Sequence, residues 1–241
     1  MARILITGAG RGIGLELTRQ YAEAGDEVIA CARNPEGSAP LKELAGGGSV
    51  HIVRMDLADF DSIAAAKQEI GDTPIDVLIN NAGAVGGGRQ RIDDVDIAEW
   101  HRTLDVNTIA PLIVARTFKP NLIASGNGKL LNVTSQLAAS TWPMGGMIIY
   151  STTKAAAQSL ARTLAAEVAD GNIKVNIISP GVVDTPQYRA ANDEDDRRHW
   201  AETVGVGVPE DVVAPILFLL SDAATMTASL LARERAFGAG R

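Results

Sequence analysis

The sequence predicts an α/β protein built on one doubly wound parallel sheet of about seven strands, with helices on both faces. Two observations support this fold class. Short apolar runs alternate with longer segments of helical periodicity along the 241 residues. A glycine-rich loop directly follows the first apolar run, as it does where the first strand of such a sheet passes into its first helix. No linker, repeat or low-complexity block divides the sequence, so we expect a single domain over residues 1–241.

Composition restricts the partners and the compartment. The net charge is −7, the pI is about 5.0 and no run of Lys and Arg occurs, which argues against a nucleic-acid or anionic-membrane partner. The lone cysteine, Cys31, excludes an intramolecular disulfide and a cysteine-rich metal site. The N-terminal apolar run is too short for a signal peptide or a membrane span. We therefore expect a cytoplasmic protein without a bound metal.

The first predicted strand, residues 4–6, leads into the glycine loop, and apolar residues recur at helical spacing from Ile13 to Ala24. Glycine permits positive φ and lets the backbone approach a pyrophosphate, while the helix N-terminus offers free N–H groups. The strand–loop–helix context therefore predicts a dinucleotide site. Its predicted contacts are Thr7, Gly8, Arg11, Gly12, Ile13 and Gly14.

The end of the second predicted strand, residues 27–32, decides which nicotinamide cofactor we expect. An acidic residue at this place binds the free 2′-hydroxyl of NAD, whereas an arginine accepts the 2′-phosphate of NADP. Ala32 and Arg33 stand here without an acid, and Arg11 of the glycine loop is a second candidate for the phosphate. The alternative is that both arginines simply face solvent. The sequence favours NADP(H) over NAD(H).

Polar or small residues follow the next two predicted strands, where ligands bind in open α/β sheets. Asp56 and Leu57 follow the strand at 50–53, and the Asp56 carboxylate is placed to accept a bond from the adenine amino group. Asp56 is equally a candidate cap for the helix predicted from Asp59 to Ile70. Asn81, Ala82 and Gly83 follow the strand at 76–79, with small side chains where a cofactor would cross the sheet edge.

Residues 95–125 show a long helical pattern with a polar Asn107 among apolar neighbours. Asn107 is expected to bond backbone near the proline kink at Pro111, which is compatible with a catalytic role. Ser135 falls at the C-terminal end of the fifth predicted strand, residues 129–135, where ligands bind in open α/β sheets.

Tyr150 and Lys154 open an Ala-rich helical segment at the spacing i and i+4, which places a phenol and an ammonium side by side. A neighbouring cation favours the phenolate and lowers the pKa of the tyrosine toward the working range of a general acid–base. Chance is the alternative explanation of this spacing.

A sixth strand is predicted at 174–178, and the polar segment 187–199 is interpreted as solvated surface or a mobile lid. Pro209 begins a last helix, and residues 229–232 form a possible edge strand.

These motifs, in this order, resemble the short-chain dehydrogenase/reductase family over nearly the whole chain. The loop Thr7-Gly8-x-x-x-Gly12-x-Gly14 is similar to the family's cofactor loop, and Asn81-Ala82-Gly83 to its Asn-Ala-Gly element. Asn107, Ser135, Tyr150 and Lys154 match its Asn-Ser-Tyr-Lys tetrad. The segment with Pro180, Gly181, Val183 and Thr185 resembles the one that holds the nicotinamide carboxamide.

The resemblance implies an NADP(H)-dependent oxidoreductase that interconverts a small carbonyl compound and an alcohol. Ser135 would donate a hydrogen bond to the carbonyl oxygen, and Tyr150 would supply or remove its proton. Lys154 would lower the pKa of Tyr150 and hold the nicotinamide ribose, and Asn107 would help to order a water. Residues between Ser135 and Tyr150, such as Trp142, Met144 and Met147, suggest a partly apolar pocket wall or a subunit contact. The alternative function is a cofactor-binding redox sensor.

The family resemblance also implies a homodimer or homotetramer. One interface would use the helices of 95–125 and 151–168, and another the C-terminal edge. Ala228 replaces a glycine that is usual in the family and lacks its freedom at positive φ. Arg233, Glu234 and Arg235 replace a compact glycine-rich loop. Because buried charges need partners, we expect a secure dimer and a weaker tetramer.

Overall fold

A computed structural model describes residues 1–88, 90–139 and 145–232. Seven parallel strands form one sheet in the order β3-β2-β1-β4-β5-β6-β7. The strands are β1 Arg3–Thr7, β2 Glu27–Ala32, β3 Val50–Arg54, β4 Val77–Asn80, β5 Lys129–Val133, β6 Lys174–Ser179 and β7 Leu230–Ala232. The reversal of order between β1 and β4 is the switch point of a doubly wound sheet, so the predicted fold class is confirmed.

Helices cover both faces of this sheet. They are α1 Gly12–Glu23, α2 Ala39–Ala45, α3 Phe60–Ile70, α4 Ile97–Leu104, α5 Ala110–Ala124, α6 Gln136–Ala139, α7 Ile148–Glu167, α8 Pro186–Ala191, α9 Glu194–Thr203 and α10 Glu210–Leu220. Among the described residues, no helix is long and apolar enough to cross a membrane.

Two hydrophobic cores lie on opposite faces because successive strand residues point to opposite sides. Ile4 and Ile6 of β1 pack with Leu17 of α1 and Ile216 of α10. Leu5, between them in sequence, packs in the other core, whose largest member is the fully buried Phe118 of α5. Burial on both faces explains why the strands read as continuous apolar runs.

The long helical pattern of residues 95–125 is interrupted in the structure by a π turn, Asp105–Ile109, between α4 and α5. Pro111 lies at the second position of α5 and has no N–H to donate to the Asn107 carbonyl. The wider π turn accommodates this missing bond, and such turns are frequent at functional sites. Asp59 caps α3, its carboxylate accepting the N–H of Asp61, so the cap falls on Asp59 and not on Asp56.

The C-terminal edge strand β7 pairs with β6 as expected. Ala228, just before it, has φ of +57°, although alanine lacks the glycine's freedom there. The Ala228 N–H donates to the Val175 carbonyl at 2.7 Å, which holds the backbone in this left-handed conformation at a cost of about 1–2 kcal/mol. Arg233, Glu234 and Arg235 lie outside the described residues, as do Trp142 and Met144.

Candidate active site

Tyr150 and Lys154 lie in the first turns of α7 and share the face that looks toward the end of β5. The Lys154 Nζ is 6.0 Å from the centre of the Tyr150 ring. Lys154 is 4% exposed, and its Nζ donates to the Val133 carbonyl at 3.0 Å. The side-by-side arrangement predicted from the spacing is therefore present, and it is tied to the sheet.

The pKa values of this pair differ from the sequence-based expectation. Burial lowers the pKa of Lys154 to about 8. Burial also raises the pKa of Tyr150, and the opposing effect comes from a hydrogen bond with the Ser135 side chain. The expected lowering of the Tyr150 pKa by Lys154 is thus not found, because desolvation of both groups outweighs it. The ammonium itself becomes a group that titrates near neutral pH.

Ser135 stands two residues after β5 and contacts the phenol of Tyr150 through its hydroxyl. The backbone N–H of Leu137 donates to the Ser135 Oγ at 3.3 Å, which orients the hydroxyl at the start of α6. The strand end, the start of α6 and the start of α7 therefore meet at one point. A substrate carbonyl oxygen at this point would accept hydrogen bonds from two hydroxyl groups, those of Ser135 and Tyr150.

Asn107 lies in the π turn and is 2% exposed. Its Oδ1 accepts the Ala84 N–H at 2.8 Å, and its Nδ2 donates to the Ala84 carbonyl at 2.9 Å. The Nδ2 also donates to the Thr153 Oγ1 at 3.0 Å. The amide bonds backbone, but the partner is Ala84 in the loop after β4 and not, as was predicted, the backbone near the proline kink. Asn107 thereby joins this loop to α7.

Gly83 fills the space between Lys154 and Asn107. A Cβ added to Gly83 would lie 3.1 Å from the Lys154 Nζ and 3.3 Å from the Asn107 Oδ1. These distances are tighter than ordinary van der Waals contacts. The φ of Gly83 is not in the positive region, so glycine serves close packing here, and a larger residue would displace these neighbours by a few tenths of an ångström.

The glycine loop forms a tight backbone cradle at the start of α1. Gly8 and Gly12 have φ of +70° and +56°, and a Cβ on Gly14 would lie 2.3 Å from the Gly8 carbonyl oxygen. The Asn81 Nδ2 donates to the Thr7 carbonyl at 2.9 Å and to the Gly8 carbonyl at 3.3 Å. The Asn81 side chain thus holds the glycine loop through these two carbonyl groups. A cradle that excludes side chains at a helix N-terminus fits a dinucleotide pyrophosphate.

The end of β2 borders the glycine cradle on the side where the adenosine ribose of the cofactor is expected. Ala32 is buried, and Arg33 beyond it is exposed. Ser38, which the sequence did not single out, donates from its Oγ to the Gly10 carbonyl at 2.7 Å and caps α2. Ala32, Arg33 and Ser38 carry no carboxylate, and Arg33 is the charged side chain among them.

The remaining predicted cofactor contacts lie along the same edge of the sheet. The Asp56 Oδ1 accepts the Ala58 N–H at 3.1 Å, and the neighbouring Leu57 is buried. Ala82 donates its N–H to the Thr7 Oγ1 at 3.2 Å. Arg11 is exposed, and its guanidinium lies 3.5 Å from the Gln187 Oε1 of α8.

The segment after β6 reaches back to the glycine loop. Gly181 follows Pro180 with φ of +74°, and Val183 forms a parallel bridge with Gly207. Thr185 caps α8, and its methyl group lies 3.1 Å from the place of a Gly12 Cβ. The predicted nicotinamide-holding segment and the predicted phosphate loop are therefore in contact.

Helices α8 and α9, which we call the cap, lie beyond this contact. They border a cavity of about 330 Å³. Its lining residues are Asp184, Tyr188, Arg189, Arg197, Ala201 and Val206. Arg189 pairs with Asp184 at 2.6 Å and lowers the pKa of that carboxyl. The polar sequence of this segment gave no sign of two helices.

Comparison with known proteins agrees with this geometry. The family model described as short chain dehydrogenase matches residues 2–196. D-xylose 1-dehydrogenase of Caulobacter vibrioides is 36% identical over 93% of this chain and 90% of its own length. L-xylulose reductase of Bos taurus is 34% identical over 93% and 91% of the two chains. The crystal structure of a putative NAD(P)-dependent gluconate 5-dehydrogenase from Beutenbergia cavernae, with bound NADP, has a TM-score of 0.85 and 34% identity, covering 96% and 94% of the chains.

Proposed function

Because the chain belongs to the short-chain dehydrogenase/reductase family, we propose that it interconverts a carbonyl compound and an alcohol by hydride transfer with NADP(H). The observation that carries this proposal is the Tyr150 phenol bonded to Ser135 beside the buried Lys154, at the sheet edge that also bears the glycine cradle. The nicotinamide ring supplies or accepts the hydride when it is bound.

In this proposal each residue has a distinct task. Ser135 and Tyr150 hold the substrate oxygen, and Tyr150 moves the proton to or from it. Lys154, fixed on the Val133 carbonyl, holds the nicotinamide ribose and stabilises a phenolate as charge develops. Asn107 keeps the loop after β4 against α7 and helps to order a water. The substrate thereby meets groups that are oriented before it binds.

The decisive test is turnover of a carbonyl panel with NADPH by wild type and Tyr150→Phe. This change keeps the ring and removes only the proton donor, so we expect a loss of about 10²–10⁴-fold in kcat with NADPH still bound. Near-wild-type turnover by Tyr150→Phe contradicts the assignment. Binding of NADPH by a wild type that turns over nothing would favour the alternative predicted from the sequence, a redox sensor.

We propose NADP(H) as the preferred cofactor because Ala32 and the exposed Arg33 occupy the ribose side of the cradle without a carboxylate. Removing an arginine partner of the 2′-phosphate should weaken NADPH roughly 10- to 100-fold and NADH little. Fluorescence titration of Arg33→Ala measures both affinities. Arg198→Ala, which removes an exposed arginine on α9, is the matched control. A wild type that binds NADH as tightly as NADPH contradicts the preference.

We propose a small, polyhydroxylated carbonyl or alcohol as the substrate class. The support is the names of relatives, which include a D-xylose 1-dehydrogenase, an L-xylulose reductase and a gluconate 5-dehydrogenase. The partly apolar pocket predicted from residues 136–149 would favour a 3-oxo compound instead. Values of kcat/KM for a pentose, a sugar acid and a short 3-oxo ester discriminate between the two classes.

The whole chain is proposed to act as one cytoplasmic catalytic domain that assembles at least into a homodimer. Leu112 and Ile123 of α5 are 38% and 45% exposed, which supports a contact through this helix. The tetramer proposal concerns the C-terminal edge, where Leu230 is 39% exposed. Light scattering at working concentration distinguishes monomer, dimer and tetramer.

A further inference from the structure

Thr153, between Tyr150 and Lys154, is fully buried although its side chain is polar. Its Oγ1 donates to the Tyr150 carbonyl at 3.0 Å and accepts from the Asn107 Nδ2 at 3.0 Å. The Thr108 Oγ1 donates to the Thr153 carbonyl at 2.9 Å. Two consecutive residues of the π turn are thus bonded to one residue of the catalytic helix.

The directions of these bonds fix the Asn107 amide. A hydroxyl has one proton, and that of Thr153 is used on the Tyr150 carbonyl. The oxygen of Thr153 must therefore accept, so the amide nitrogen of Asn107 faces α7. The amide oxygen then faces the Ala84 N–H. Rotation of the amide would set the Nδ2 against the Ala84 N–H and leave the Thr153 oxygen without its donor, so Ala84 and Thr153 favour the same orientation.

We propose that Thr153 is a positioning residue, which holds the π turn and the first turn of α7 in one register through its hydroxyl. The inference rests on the proposed oxidoreductase function of the same site. It extends that function because Thr153 does not itself contact the reacting atoms. Its effect reaches the chemistry through Tyr150 on one side and Asn107 on the other.

Thr152 offers a matched control in the neighbouring position. Its Oγ1 also bonds carbonyls of the preceding turn, those of Ile148 at 2.7 Å and Ile149 at 3.1 Å. Thr152 is exposed, however, and within the described part of the chain its hydroxyl bonds only to α7 itself. Replacing Thr152 by valine therefore removes the same chemical group without uncoupling the π turn.

The experiment compares Thr153→Val, Thr153→Ser and Thr152→Val with wild type. Valine keeps the shape and the β-branch of threonine, whereas serine keeps the hydroxyl. We expect Thr153→Val to lower kcat roughly tenfold, with KM and NADPH affinity within about twofold, because the reacting groups are misplaced after binding. Thr153→Ser and Thr152→Val should stay within about twofold of wild type in kcat.

A deuterium isotope effect on kcat gives a second, independent measurement of the hydride-transfer step. With NADPH labelled on the transferred hydride, Thr153→Val should show a larger isotope effect on kcat, because hydride transfer becomes more rate-limiting. Unchanged kcat in a folded Thr153→Val, an equal loss in Thr152→Val, or a loss that Thr153→Ser does not rescue would overturn the proposal. If Thr153→Val does not fold, Thr153→Ala takes its place, with serine again as the rescue.

These outcomes are distinguishable from failure of the proposed function. That function fails if wild type has no turnover, or if Tyr150→Phe keeps it. The role of Thr153 fails, with the proposed function intact, when wild type is active and Tyr150→Phe is not, but Thr153→Val, Thr152→Val or Thr153→Ser gives one of the contrary results named above.

Discussion

The start of α7 and the cap lie along the same edge of the sheet but are held in different ways. At the start of α7, Thr153 and Lys154 are buried and bond groups 46 and 21 positions away in sequence. In the cap, neither α8 nor α9 has a buried residue. Most of its side-chain bonds are local, such as Arg189 to Asp184 and Trp200 to Asn192. The bond from Arg11 to Gln187 spans 176 positions, but it is exposed and long at 3.5 Å.

This difference matches two separate requirements of the proposed active site, which are fixed geometry of the reacting groups and tolerance in substrate recognition. Reacting groups need fixed geometry, which long-range bonds inside a packed core supply. Substrate recognition tolerates variation, and segments with few buried contacts open at low free-energy cost. Small changes at the start of α7 should therefore impair chemistry, whereas similar changes in the cap should leave chemistry intact.

In the comparison of these two regions, Gly83→Ala has the largest expected effect on kcat. The added methyl would press on the Lys154 Nζ and the Asn107 Oδ1, both of which are held by buried hydrogen bonds, and would displace them by a few tenths of an ångström. We expect kcat to fall roughly tenfold, because a displacement near 1 Å of reacting groups costs about 100-fold and this one is smaller. The measurement is steady-state kinetics together with a thermal unfolding curve to show that the variant is folded.

Gly47→Ala is the control for this change. A Cβ at Gly47, in the turn after α2, would lie 3.4 Å from the Leu44 carbonyl oxygen, an ordinary van der Waals contact, and its φ is not in the positive region. Its kcat should equal that of wild type. If Gly83→Ala has the same kcat as wild type, tight packing around Lys154 is not critical for the chemistry. The proposed contrast between the start of α7 and the cap would then be wrong.

The sequence predicted the features that depend on local pattern. Apolar runs gave the parallel sheet, and the spacing of Tyr150 and Lys154 gave their common face. A backbone partner for Asn107 was predicted because a polar residue among apolar ones needs one, but it was expected near Pro111, whereas the partner is Ala84, 23 positions away.

Features that depend on the fold as a whole were missed. Ser38 reaches Gly10 across 28 positions, and a threonine inside a Tyr-x-x-x-Lys motif carries no periodic signal. The spacing placed an ammonium near Tyr150 but gave no measure of burial, and burial reverses the direction of the Tyr150 pKa. The cap helices lack an apolar stripe, so periodicity could not detect them.

The second prediction concerns pH and the burial of Lys154. Its pKa is about 8 in the folded protein against 10.5 for the free side chain. Between these values the unfolded chain binds a proton that the folded chain has released, so the free energy of unfolding should rise with pH in this window. The full difference is about 3 kcal/mol. Above pH 10 the raised pKa of Tyr150 acts in the opposite direction.

Urea unfolding of the cofactor-free protein at pH 7 and pH 9.5 tests this dependence. Lys154→Met removes the titrating group, so its free energy of unfolding should change less between the two pH values than that of wild type. Other groups titrate in both proteins and cancel in the comparison. The same pH dependence in both proteins would mean that Lys154 keeps an ordinary pKa despite its burial.

The smallest effect is expected in the cap, from Arg189→Ala. The pair with Asp184 is short at 2.6 Å, but the side chains are 59% and 33% exposed, so solvent screens it. The Tm at pH 7 should stay within about 2 °C of wild type. Any difference should vanish as the pH falls through the lowered pKa of Asp184, because the protonated carboxyl no longer attracts the guanidinium. Arg198→Ala, which breaks a similar pair with Asp195, is the matched control outside the cavity lining.

Because Arg189 borders the cavity and does not hold the reacting groups, its loss should change KM more than kcat. A kcat for Arg189→Ala as low as that of Gly83→Ala would show that the cap, too, fixes the geometry of the chemistry.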